Sequence, residues 1–351
     1  MCKKRLFFIF LLLYVAKLFA LNNLGGSGGS GDRGGLSDRG GSVFQIDVGS
    51  EFGILNGALH EYVFADESKN TDHMMSRLDW DVVAIPYTEL NGTINLFKYV
   101  YINASGRIGF PCDSNFMQDY DWLNSTPPNS HPEWKDDNPT ELTNYSKHNN
   151  ELVNYYNVCA KVGGNIPIGK NVVLSPFVGY EYSYISMLAS EGYCIYKQYD
   201  FDKRPTSSGP NISYAQESNS FIVGLNCDLN MIPRVPISFY FQAVPCTGQL
   251  LALDLHYQRK DVRTPYGLGF LDVYNYFFQF ESKISAFFEF NKYLKMGGNA
   301  FIQYLPLQKG LTALGPIREG GLPPTEFSLQ SSEGGVGRLL YGFSIVTKIC
   351  F

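Results

Sequence analysis

The segment Phe277-Phe278-Gln279-Phe280-Glu281-Ser282-Lys283-Ile284-Ser285-Ala286-Phe287-Phe288-Glu289-Phe290 decides the fold class. Phe278, Phe280, Ile284, Ala286, Phe288 and Phe290 share one parity, while Gln279, Glu281, Lys283, Ser285 and Glu289 share the other. Successive side chains of an extended chain point to opposite faces, so this strand has one face in an apolar medium and one in a polar medium. Ser220–Met231 repeats the pattern, with Phe221, Val223, Leu225, Cys227, Leu229 and Met231 on one face. So does the last segment, where Tyr341, Phe343, Ile345, Thr347, Ile349 and Phe351 alternate with Gly342, Ser344 and Lys348.

A soluble β-sandwich has the same alternation, so length and connectivity must decide. The alternating runs extend for about 10–14 residues, whereas soluble strands average about 5–6. A tilted membrane strand needs about 9–11 residues to cross the hydrocarbon. The connections alternate as well. Short turns are expected near Pro86–Gly92, Pro167–Asn171 and Pro233–Pro236, and long polar segments at Asp113–Asn150, Met187–Glu217, Ala252–Tyr266 and Gln308–Gly337. Membrane barrels pair short periplasmic turns with long extracellular loops. Ten strands are expected, over 43–56, 76–86, 92–112, 152–166, 172–186, 218–231, 237–251, 274–288, 297–306 and 339–351. The sheet must close, because an open edge in lipid leaves backbone N–H and C=O groups unpaired. The expected fold is all-β: a ten-stranded antiparallel transmembrane β-barrel with long extracellular loops, over residues 43–351. A terminal Phe on an alternating strand resembles the assembly signal of bacterial outer-membrane barrels.

Residues 1–20 read as a cleaved signal peptide: Lys3, Lys4 and Arg5, then the apolar run Leu6–Ala16, then Leu18-Phe19-Ala20. That run is too short to span a bilayer. Residues 21–42 form a Gly/Ser-rich flexible leader. Loss of Lys3, Lys4, Arg5 and Lys17 makes the formal net charge of −5 more negative still. That excludes a generally basic nucleic-acid surface and favours a cationic partner. Six cysteines remain, scattered through strand patterns without a disulfide framework.

No Gly-rich phosphate loop, H-E-x-x-H or G-x-S-x-G occurs, and the five histidines lack zinc-ligand spacing. No cofactor or metal is expected. Two acidic constellations remain: Met117-Gln118-Asp119-Tyr120-Asp121-Trp122 and Asp254-Leu255-His256-Tyr257. In each, i,i+2 spacing on an extended chain puts both polar side chains on one face. A carboxylate beside an imidazole fixes its tautomer and raises its basicity. Two carboxylates facing one site repel, and one holds its proton more strongly. Such groups suit peptide hydrolysis by an activated water, but either motif is more often plain solvated surface. A porin or an adhesin remains open at this point.

The motifs together resemble those of the omptin family of bacterial outer-membrane aspartate/histidine proteases. Ser76-Arg77-Leu78-Asp79-Trp80 is similar to the family's S-x-L-D-W, Met117–Trp122 to its M-x-D-x-D-W, Asn144-Tyr145 to its L-N-Y, and Asp254–Tyr257 to its D-x-H-Y. The resemblance implies an Asp/His endopeptidase cutting near basic residues. His256 would activate water, Asp254 would orient His256, and Asp119 and Asp121 would hold the water and the scissile carbonyl. It implies substrate contacts from Glu61 at the bottom of a pocket, Met117 lining it, and Asp136. The implied partners are a basic peptide or protein substrate and outer-membrane lipid, with no nucleic acid, for a monomer whose site faces the cell exterior. Two departures stand out. The pocket carboxylate expected two residues before Asp254 is Ala252, and the lipopolysaccharide-contacting face of the fifth strand carries Tyr180, Tyr182 and Tyr184. A non-enzymatic adhesin or receptor on the same scaffold is the alternative.

Overall fold

The computed structural model describes residues 44–65, 74–96, 99–122, 142–169, 171–229 and 237–351. The expected signal peptide, the leader, the Pro233–Pro236 turn and Asp136 lie outside the described residues. Thirteen strands follow in chain order: β1 (Phe44–Phe64), β2 (Met74–Leu96), β3 (Val100–Gly109), β4 (Cys112–Asp121), β5 (Asn144–Gly164), β6 (Ile166–Ile168), β7 (Val172–Tyr196), β8 (Lys203–Pro205), β9 (Ile212–Leu229), β10 (Ile237–His256), β11 (Leu268–Glu289), β12 (Leu294–Pro316) and β13 (Ser328–Cys350).

All pairings are antiparallel, and β1 pairs with both β2 and β13, which closes the sheet. β3 and β4 are two halves of one position between β2 and β5. β5 continues past Asn165 as β6, which pairs with β7, and β8 is a short addition to the far end of β7. Ten positions therefore circle the barrel: β1, β2, β3/β4, β5/β6, β7, β9, β10, β11, β12 and β13.

The count is as expected, but the boundaries differ. Pro86–Gly92 is not a turn, because β2 runs through it. A bulge replaces the turn: the β1–β2 register slips between Leu55 and Gly57, and Ala84 takes a left-handed φ of 54°. Its N–H is satisfied by Asn56 Oδ1 at 2.9 Å. The inward parity continues through buried Tyr87 and Glu89. The four long segments are also shorter than expected. β4 holds Asp119 and Asp121, β5 starts at Asn144, β10 ends at His256 and β12 ends at Pro316. These extensions are polar on both faces, so they read as loops, yet their backbones stay paired.

Phe52 and Ile54 on β1, Phe221 and Val223 on β9, and Phe343 and Ile345 on β13 are exposed on the outer face. They belong to the apolar band expected of a lipid-facing wall. Ring strands run to 18–25 residues, so they extend well beyond what the hydrocarbon requires. The surplus lies at the end bearing the β1–β2, β4–β5, β7–β9, β10–β11 and β12–β13 connections, the mouth.

Inside the band the lumen is polar and crossed by ion pairs. Lys283 meets Glu51 at 2.5 Å and Arg107 meets Glu89 at 2.6 Å. Toward the mouth lies one apolar cluster fed from all ten positions: Leu55, Trp80, Met117, Leu152, Ile185, Tyr214, Leu250, Tyr274, Leu305 and Leu340, with their neighbours. This cluster is the floor on which the mouth is built.

Candidate active site

β10 brings Ala252, Asp254 and His256 into the mouth on one parity, all buried. His256 Nε2–H donates to Asp254 Oδ2. A neutral imidazole has one N–H, so giving it to Asp254 leaves Nδ1 as an acceptor. Phe270 on β11 packs edge-on against the ring, with centroids 5.5 Å apart and planes at 78°. Burial and the Arg259 guanidinium hold the His256 pKa below the usual imidazole value, although Asp254 pulls the other way. His256 is therefore neutral at pH 7 and able to take a proton.

On β4 the same parity aligns Met117, Asp119 and Asp121, all buried. Burial first, then the adjacent Asp121, push the Asp119 carboxyl well above the usual range, while Arg259 and a Ser76 hydrogen bond act against this. Asp119 Oδ1 has no hydrogen-bond partner. Asn144 Nδ2 donates to Asp121 Oδ2 at 3.4 Å. β4 and β10 are not neighbours in the ring, yet their charges reach each other across the mouth. Asp254 and Arg259 act on Asp119, and Asp121 acts on His256.

Glu61 on β1 lies lower, 3% exposed. Burial, then Asp254 and Asp272, raise its carboxyl well above the usual range. Its Oε2 has no hydrogen-bond partner. Trp80 stacks on Tyr214 below it, with centroids 5.7 Å apart, and Gln216 Nε2 donates to the Tyr214 hydroxyl at 3.2 Å. Met117 is fully buried, opposite Trp80 on β2 and His148 on β5. The fold thus brings together Glu61, Met117, Asp119, Asp121, Asp254 and His256.

Two residues at this site escaped the sequence reading. His148 is buried, bonding the Ser190 carbonyl through Nδ1 at 2.8 Å and Ser146 Oγ through Nε2 at 3.0 Å. Burial lowers its pKa, and His256 lowers it further. Asp272 on β11 is buried directly opposite Ala252. Its signal was the shared parity with Tyr274, hidden because that strand was begun at 274 rather than at Leu268.

An imidazole with a free acceptor nitrogen, a carboxyl that holds its proton more tightly than usual, and an unpaired acid in a buried floor are the parts of a hydrolytic site. Residues 43–305 match the family model of the Omptin family. The chain belongs to the omptin family. Its structure is similar to that of the outer membrane protease OmpT from Escherichia coli, with a TM-score of 0.71 at 18% identity, covering 88% of this chain and 97% of that one. The plasminogen activator of Yersinia pestis is 27% identical over 110 residues, which is 31% of this chain and 30% of that relative. That alignment therefore spans under a third of the relative's length.

This omptin keeps an aromatic outer surface on β7. Tyr180 donates to Asn219 Oδ1 at 2.7 Å, and Tyr184 and Tyr182 pack on Tyr156 with centroids 5.1 and 5.9 Å apart.

Proposed function

We propose that this omptin is an outer-membrane endopeptidase that hydrolyses peptide bonds beside basic residues. The observation that carries the reading is the His256–Asp254 couple, buried in the mouth within electrostatic reach of Asp119 and Asp121.

The chemistry follows from the protonation states. Water held between His256 and the Asp119–Asp121 pair gives a proton to His256 Nδ1 as its oxygen attacks the scissile carbonyl carbon. Asp254 accepts Nε2–H, orients the ring and stabilises the imidazolium. Asp119, whose carboxyl burial and Asp121 push well above the usual range, donates a hydrogen bond in its protonated form to the oxygen on which negative charge develops. The imidazolium then protonates the leaving amine, and His256 returns to its neutral state. Glu61 and Met117 line the pocket for the residue beside the scissile bond, and Asp136 contacts the residue beyond it. The mouth faces the cell exterior, the chain acts as a monomer after loss of residues 1–20, and outer-membrane lipid surrounds the band.

A fluorogenic peptide library, with basic and neutral residues at the scissile bond, tests this on refolded protein in detergent with and without added lipid. His256→Ala and Asp119→Asn should each lower kcat/KM by roughly a hundredfold or more while the barrel stays folded. Cleavage by both variants at the parent rate would overturn the reading. Saturable ligand binding without any cleavage would favour a surface receptor instead.

A further inference from the structure

Lower in the lumen, three buried acids have cations of their own, while Glu181 has none among the described residues. Glu51 pairs with Lys283, Glu89 with Arg107, and Asp47 with Lys348 at 3.2 Å. Among the described residues, no Lys or Arg lies within ion-pair distance of Glu61, Asp119, Asp254 or Asp272. Burying a carboxylate without a cation is costly, so a retained cluster of this kind is suited to a charge brought from outside.

The position of Asp272 is specific. It stands directly opposite Ala252 in the β10–β11 register, so it enters the mouth at the same height from the neighbouring strand. Thr312 Oγ1 donates to Asp272 Oδ1 at 2.7 Å and the Tyr274 hydroxyl donates to Oδ2 at 3.3 Å. The carboxyl extends across β12 to lie over Gly334 of β13, where an added Cβ would come within 2.2 Å of it. Gly334 pairs with Val63 on β1, two residues from Glu61, and the two acids feel each other's charge. Glu61 Oε2, deeply buried and without a partner, is the independent sign that something is still to be bound there.

We propose that Asp272 is a specificity residue of this site: with Glu61 it forms a two-carboxylate floor that takes the guanidinium or ammonium of a substrate side chain, standing in for a carboxylate at position 252. The inference rests on the peptide-cleaving reading of the same site. Ala252 gives up one anchor, and the adjacent strand supplies another. Burial and the nearby Asp254 push the Asp272 carboxyl up to about 7, and a cation bound between the two acids would favour the ionised form.

The test uses the refolded full chain, Asp272→Asn, and Asp272→Asn combined with Ala252→Asp. Each is assayed with an arginyl peptide and its citrulline isostere, which keeps the shape and drops the charge. Binding is measured on the His256→Ala background, so that nothing turns over, and kcat/KM on the His256 forms. Asp272→Asn should lower the Arg-to-citrulline ratio by roughly tenfold or more while citrulline binding holds, and Ala252→Asp should restore much of it. An unchanged ratio, or equal weakening of both peptides, would overturn the inference. An Asp272-dependent Arg preference in binding without any cleavage would sink the protease reading and keep the cation floor. Cleavage by the parent without Arg preference would do the reverse.

Discussion

Asp272 is costly to the fold in the absence of a bound cation. Its carboxyl titrates near 7 in the folded chain, against 3.8 ordinarily. Between those values the unfolded chain has released the proton and the folded chain has kept it. Stability therefore falls as pH rises from about 4 to about 7 and then levels off. Asn keeps the shape and removes the titration. Asp272→Asn should flatten this fall and leave the barrel more stable at pH 8, by an amount on the order of a few kcal/mol. Urea unfolding in lipid vesicles at pH 5 and pH 8 reads the difference. Equal stability of parent and variant at both pH values would mean that the site does not store this cost. Glu61 and Asp119, also raised, leave a residual fall in the variant. The other acids were legible in the sequence because i,i+2 spacing places Asp119 with Asp121, and Asp254 with His256, on one face of any extended chain. Asp272 shares its face with Tyr274, but no second charged group stands two residues away. Its place follows from register with Ala252, and register is a property of two strands rather than one.

At the scale of elements, the number of crossings was legible and their ends were not. Period-2 hydrophobicity reports where one face meets lipid, and it vanishes where a strand rises into water. That is why Asp119, Asp121 and Asn144 read as loop while remaining in β4 and β5. The bulge in β2 misled in the opposite sense, since Pro86 and Gly92 are ordinary turn signals. Ala84 gives a way to check it. A strand position normally favours a β-branched residue. Ala84 is exposed and left-handed, where a β-branched side chain is strained. Ala84→Val should destabilise by about 1–2 kcal/mol, and Ala84→Gly should be neutral or slightly stabilising. Urea midpoints for the two variants decide between a bulge and a regular strand, because a regular strand gives the reverse order.

At the scale of the whole molecule, the arrangement of the lumen separates a site from a passage. A ten-stranded ring is narrow enough for side chains to fill. Here every ring position sends at least one apolar side chain into the same cluster, from Leu55 on β1 to Leu340 on β13. Below it, Lys283 and Arg107 pair with Glu51 and Glu89 and occupy the lumen with fixed charges. An ion entering from the mouth meets Trp80, Tyr214 and Tyr274, which are buried in that cluster. The same packing that fills the lumen supports the site, because the strands carrying Glu61, Asp119 and His256 all contribute side chains to the cluster. Planar-bilayer recordings of the refolded protein should therefore stay at the background of the lipid alone. Steady ohmic steps would mean that the cluster opens, and the mouth would then have to be understood as the vestibule of a channel.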